Sequence, residues 1–549
     1  MILGNLLEFG CCPAKWWFIG HLLWFGLSYW VVAHKKALHG GVYWTMAVGL
    51  ALMMRLPVIL YGGQINKDES QMLAQGITLM VEPVLYHLVD PTTGGPLNSY
   101  LLAVLGWLGA KIDFHLAHFL SLLLSLFSFY FIYKTIKLLR NERIAQVVVL
   151  PFLVFLSFVQ DSNYVHYNSE VNAILLLSVV VYAWVYLAKT LAYTPWRLVG
   201  FGVMLALVPL CKLQGLPFAF FWGLAILFQF WLAKPSKFWQ YFGWVAVGVI
   251  LTWGIWVLWL AINGVLDDFY NFYIYANSQY SHRLTGERPK FFYTLMRFPV
   301  VVVKKAIELN YIFFPILVLS LSLGVVNKTL VKERLRAILK RDYYILPLML
   351  LYMVAISMTI VRTGSFYAHY FLFYLLPLAL IFGLWLENFS KTWYWAVLST
   401  QLIFFVVLVK DIGTDHPINL YPTKAPQAQI SEVGRAILKH KKQGDHLAVW
   451  GWSCEYFVES QMPQGVAENH TTRSAMKHPL QELYMQRYLR DMRLHRPAIF
   501  VDAITPKTLW MEKPEVYKHE NYPALAQLIA ANYTLKDSLQ GVRIYVRNR

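Results

Sequence analysis

Long apolar runs alternate along this chain with short charged stretches, and most runs approach the about 20 residues needed to cross a bilayer. They cover 16–33, 43–61, 116–133, 144–159, 171–188, 198–210, 216–232, 241–262, 311–326, 344–361, 367–386 and 393–409. The pattern predicts a polytopic all-α membrane protein of about twelve transmembrane helices. The first run ends at His34-Lys35-Lys36 with no small-residue cleavage site, so it reads as a retained span or a membrane-lying helix. Past Asp411 the pattern changes to that of a soluble domain. Short β-type runs at 446–452, 497–502 and 541–546 alternate with helical stretches at 430–440 and 480–495. Leu483, Tyr484, Tyr488 and Met492 share a helical spacing in the last of these. The chain therefore divides into a membrane domain, 1–410, and a small α/β domain, 411–549. Two longer loops, 62–115 and 263–299, interrupt the membrane part.

Charge orients this plan. Lys134, Lys137, Arg140 and Arg143, then Lys189 and Arg197, then Lys234 and Lys237, and then the basic stretch 327–342 all fall on one side of the alternating runs. The positive-inside rule makes that side the cytoplasm. Both longer loops and the tail then lie on the non-cytoplasmic side.

Composition settles the class. The 549 residues are 58% hydrophobic and only 14% charged, against about 25% charged in a soluble domain. The net charge of +18 resides largely in short loops, which calls for anionic lipid headgroups as neighbours and not for nucleic acid. The four cysteines, Cys11, Cys12, Cys211 and Cys454, have no metal-site spacing.

The candidate chemistry begins in the first long loop. Between 62 and 100 lie Asp68, Glu69, Glu82, His87 and Asp90, with Lys67 as the only Lys or Arg. Asp68 and Glu69 follow an apolar run directly, and acids at the edge of hydrocarbon tend to be functional. A solvated loop with a helix-capping acid is the plainer reading of the same positions. In the second long loop Arg283 and Arg288 could reach a phosphate, or serve as solvated loop charges. Neither a phosphate-cradling P-loop nor a GxGxxG fingerprint occurs.

Asp68-Glu69, Ala74, Gly76, Tyr86, Asp90 and the following "GPLNSYLLAVL" resemble the first outside loop of the GT-C glycosyltransferases. That superfamily of polytopic enzymes includes the protein O-mannosyltransferases, the lipid A aminoarabinose transferases and bacterial relatives. Three later stretches resemble it in order. "QDSNYVHYNSEVN" places Glu170 at the superfamily's second acidic position, although a helix N-terminus also favours an acid there. "CKLQGLP" places Lys212 in a turn like that of the aminoarabinose-transferase branch, where a snorkelling lysine is the alternative. "VRTGSFYAHYFLFYLLP" places Arg362 and His369 as in bacterial relatives, with a packing histidine as the rival reading.

The resemblance implies a donor sugar on polyprenyl phosphate, transfer to a hydroxyl of a lipid, glycan or protein, and inversion. It assigns Asp68, Glu69 and Glu170 to catalysis, and Lys212, Arg362 and His369, with Arg283 and Arg288, to the donor phosphate. Some members bind a divalent metal, for which Glu82, His87 and Asp90 are the candidate ligands here; no cofactor is otherwise implied. A transporter, or a flippase or ligase of lipid-linked glycans, is the competing class. A transporter places charges near the midplane and shows related halves, whereas the acids here cluster at the ends of the runs.

Overall fold

The computed structural model describes residues 13–34, 36–279, 291–326, 344–386, 392–413 and 430–548. Arg283, Arg288, the basic stretch 327–342 and the tail's 414–429 lie outside the described residues. Among the described residues, seven helices are long and apolar enough to cross a membrane. They are Trp16–Ala33, Gly40–Tyr61, Phe114–Leu139, Ser169–Thr190, Leu213–Ala233, Pro235–Ile262 and Ile345–Thr363. Pro195–Cys211, Ala368–Leu384 and Val397–Val407 are shorter apolar helices. The protein is thus mostly helical, with a small sheet near its C-terminus.

The chain packs into two compact units. The helix-bundle unit comprises Met1–Gly62, His118–Trp253 and Pro289–Ala425; the sheet-bearing unit comprises Gly63–Ala117, Gly254–Arg288 and Pro426–Arg549. The second unit is therefore more than the tail, because residues of both long loops belong to it.

At the centre of the bundle lies the helix Glu142–Phe158, buried at every residue from Ile144 onward. A helix that is apolar all round can be stable only when it is enclosed. Asn141 caps it by accepting from the Ile144 N–H, and the helices Gly40–Tyr61, Pro13–Ala33, Leu375–Leu386 and Thr392–Gly413 pack around it. The N-terminal run is one of these enclosing helices. His21 stacks flat on Phe158, with ring centroids 3.8 Å apart, and Ser28 and the Trp24 carbonyl meet Gln401.

In the sheet-bearing unit four strands run in the order β1-β2-β4-β3. β1 (Leu447–Trp450) and β2 (Ile499–Asp502) are parallel, while β4 (Val542–Arg547) pairs antiparallel with both β2 and β3 (Tyr533–Leu539). β1 and β2 are buried at every position, as continuous apolar runs in a parallel pair should be. Gln540 and Gly541, both at positive φ, close the β3–β4 hairpin, which is the backbone that a two-residue hairpin turn requires.

Candidate functional site

Two helix breaks build one polar cluster in the bundle. The helix Pro195–Cys211 stops at Lys212, whose backbone is extended, and a 3₁₀ turn at Leu213–Gly215 leads into Leu216–Ala233. The second break is the 3₁₀ helix Ala368–Tyr374, buried throughout; runs of this kind beyond three or four residues are uncommon and often mark functional positions. Asn168 caps the helix Ser169–Thr190 by accepting from the Val171 N–H, which sets Glu170 in its first turn.

These elements bring together Glu170, Lys212 and His369. The Lys212 ammonium lies 2.5 Å from Glu170 Oε1, and both side chains are almost wholly buried, at 4% and 1% exposure. Lys212 also donates to Ser169 Oγ at 2.9 Å and sits 5.1 Å from the centre of the Tyr370 ring. His369 Nε2 is 3.7 Å from the same Glu170 oxygen. Asn163 donates its amide to Asp161, so its Oδ1 is left to accept from His369 Nδ1 at 3.0 Å. The result is one buried carboxylate facing one ammonium and one imidazole. Arg362 does not share this burial: it stands exposed in the last turn of Ile345–Thr363.

The first loop's acids are placed by the sheet-bearing unit. Asn66 accepts from the Asp68 N–H and starts the helix Lys67–Val81, putting Asp68 and Glu69 in its first turn, where the helix dipole favours acids. Asp68 is half-buried and Glu69 fully buried. The tail holds this helix along its length. Lys67 donates to the Trp452 carbonyl at 2.9 Å, Asn469 to the Gln71 carbonyl, and the Gln464 N–H to Thr78 Oγ1. Gln64 reaches Glu455 at 3.3 Å. Burial first, and then the Glu455 charge, push the neighbouring Cys454 thiol well up, with Asp68 acting in the same direction and Lys67 against it.

Further along the loop, Asp90 is fully buried and meets Arg487 of the tail at 2.6 Å, with Arg473 at 3.9 Å. Its other oxygen accepts from the Thr92 N–H, and the Phe272 ring of the second loop lies 3.6 Å from the Arg487 guanidinium. Burial works to raise the pKa of Asp90, but Arg487 and then Arg473 outweigh it and hold the carboxyl below its ordinary value.

Glu468, buried beside the same arginines, behaves oppositely. Burial pushes it up to about 7, with the Arg487 charge and the Ser474 hydroxyl opposing and Asp90 reinforcing. Its contribution to stability is therefore fully present below its ordinary value of 4.5 and is lost as pH rises through about 7. Glu468→Gln should remove this dependence. Its unfolding stability should gain on the wild type between pH 4.5 and 7, by on the order of 3 kcal/mol. Parallel pH profiles for the two proteins would refute the assignment.

The three metal candidates do not close into a ligand set. Glu82 and His87 face each other at 3.4 Å near the surface, while Asp90 is taken up by Arg487. Among the described residues, Asp502, His519 and Glu520 do bring ligand atoms together. Arg543 bridges Asp502 and Glu520 there, supplying the positive charge itself.

Arg487, Arg473, Glu468, Glu455 and Trp452 are site residues that sequence reasoning did not single out. Arg487 had a signal, since it falls at helical spacing among the apolar positions Tyr484, Tyr488 and Met492 of the tail helix, where a charge needs a partner.

No protein-family model matches this sequence, and no curated protein matches it. Solved structures do. ArnT from Cupriavidus metallidurans bound to undecaprenyl phosphate superposes with a TM-score of 0.56 at 12% identity, covering 92% of this chain and 98% of that one. The same protein in its apo state gives 0.56 at 11% identity, covering 91% and 97%. An Archaeoglobus fulgidus oligosaccharyltransferase in complex with zinc and sulfate gives a TM-score of 0.32 at 11% identity, covering 92% and 73%. The chain has the fold of ArnT.

Proposed function

We propose that this protein is a membrane glycosyltransferase. It moves a sugar from a polyprenyl-phosphate carrier to a hydroxyl of a glycolipid, glycan or protein on the non-cytoplasmic face, inverting the anomeric carbon. The observation that carries the reading is the likeness to ArnT over nearly the whole of both chains. That neighbour binds undecaprenyl phosphate.

In this reaction the acceptor oxygen bonds to the anomeric carbon as the bond from that carbon to the phosphate oxygen breaks. The electron pair leaves on the phosphate and the acceptor's proton passes to a carboxylate. Asp68 is assigned as that base, being the more accessible acid of its pair, and the buried Glu69 is assigned to orienting the loop. Lys212 is assigned to the departing phosphate, with His369 and Arg362 adding positive charge, because cations placed in advance stabilise charge as it develops. Glu170 is Lys212's resting counter-ion, with which the phosphate competes.

The test is Lys212→Ala. A charge-assisted contact to the leaving group is worth roughly 1.5–3 kcal/mol, so turnover of a polyprenyl-phosphate sugar should fall about tenfold to a hundredfold. The double variant with Glu170→Gln relieves the unpaired carboxylate and should stay equally slow. Unchanged turnover in Lys212→Ala would refute the assignment. Reporters fused after Lys137 and after Asp445 should read cytoplasm and outside respectively, and an inside reading at Asp445 would overturn the scheme.

A further inference from the structure

In open α/β sheets, ligands settle beyond the carboxyl ends of the parallel strands. β1 and β2 are the parallel pair here, and the loops that leave their carboxyl ends each bring a tryptophan to the same place. Trp452 follows β1 and Trp510 follows β2, with ring centroids 5.0 Å apart and planes near perpendicular. His470 stacks on Trp452, with centroids 4.6 Å apart.

The two loops are built to converge. Gly451 takes a φ of +126, and a Cβ there would lie 3.3 Å from the Ala503 carbonyl carbon. Thr508 fastens the second loop by donating to the Ala503 carbonyl and accepting from the Thr505 N–H.

Two further observations separate these tryptophans from ordinary core. Trp510 holds a φ of +64, a left-handed backbone that is rare for a bulky residue and that tends to persist at ligand clamps. Trp452 is only 6% exposed, yet its indole N–H finds no acceptor among the described residues. A buried donor of this kind calls for an explanation, and a ligand oxygen is one. Polar groups stand alongside. The Trp452 carbonyl holds Lys67, the residue before Asp68, and Glu455, half-buried, meets Gln64.

Aromatic faces edged by carboxylate, amide and indole N–H suit a ligand that is apolar on its ring faces and hydroxylated at its rim. We propose that the loops after β1 and β2 form a saccharide-binding site, in which a pyranose ring of the acceptor lies against Trp510 and its hydroxyls are held by the Trp452 indole N–H, Glu455 and Gln64. The proposal rests on Asp68 as the base and deepens that reading by making the acceptor a sugar.

The experiment is saturation-transfer difference NMR on the full chain in lipid nanodiscs, with methyl β-glucopyranoside and methyl β-galactopyranoside as probes. The wild type should transfer saturation to the ring C–H protons of at least one probe. Trp510→Ala should reduce that signal about fivefold, the scale of losing one aromatic contact, and Trp510→Phe should keep most of it. Trp239→Ala, which removes an exposed indole of the bundle, should change nothing. If Trp510→Ala fails to fold, Glu455→Gln, which leaves both tryptophans in place, should lower the signal instead. No transfer from the wild type to either probe, or equal transfer from wild type and variants, would overturn the site. Saturation transfer needs no turnover, so this failure is distinct from failure of the transferase reading, which the rate of Asp68→Asn decides.

Discussion

Asp68→Asn is expected to lose most sugar transfer, by about 10²–10⁴ in rate, while binding the lipid-linked donor nearly as well as the wild type. The substitution keeps the shape and removes the basicity. It also spares the helix start, because Asn66 caps through the backbone N–H of residue 68 and not through its side chain. The loss of a favourable charge in the first turn costs about 0.3–1 kcal/mol, too little to unfold the unit. Glu69 differs in kind. It is fully buried, so Glu69→Gln should act mainly on stability and less on rate. The measurement is turnover of a polyprenyl-phosphate sugar beside a donor-binding isotherm for each variant. Wild-type transfer by Asp68→Asn, together with a dead Glu170→Gln, would move the base to the bundle cluster.

The second large effect is structural. Arg487→Ala should destabilise the sheet-bearing unit by about 3–5 kcal/mol, because it strands a buried carboxylate at Asp90. Domains hold only about 5–15 kcal/mol in all, so the loss should show as early proteolysis of the tail and a lowered unfolding midpoint. Replacing both partners with apolar residues, Asp90→Leu with Arg487→Met, should recover much of the loss, since a buried ion pair taken as a whole often adds little over a packed apolar pair. A single variant as stable as the wild type would mean that Arg473, 3.9 Å from Asp90, suffices alone.

These two outcomes separate what a linear reading of the chain can reach from what it cannot. The apolar runs declare a membrane protein because the bilayer imposes their length. The acid pair at Asp68 and the interrupting Lys212 stand out because charge is scarce around them. β1, β2 and β4 announce themselves as compact β-type runs. β3 does not: its "YTLKDSL" is exposed over much of its length and bulged between Leu535 and Asp537, so no buried face imprints an alternation on it. The partner of Asp90 was equally hidden. The loop's acids read alike in sequence, and only the fold shows that Asp90 faces an arginine 397 residues away while Glu82 and His87 remain near the surface. Arg362, grouped in sequence with Lys212 and His369, is exposed where they are buried.

The three-part make-up of the sheet-bearing unit also sets a timetable for biosynthesis. Ribosomes add about 5–20 residues per second, so the 397 residues between Asp90 and Arg487 take roughly 20–80 seconds to appear. Until Trp452 appears the helix bearing Asp68 stands without the carbonyl and amides that later hold it, and Asp90 waits for its guanidinium until Arg487 is made. A nascent chain interrupted between Asp90 and the helix Gln481–His495 carries every acid of the first loop and lacks the arginine that pairs with Asp90. The unit thus closes only in the last quarter of translation, and unfinished chains are open to proteases.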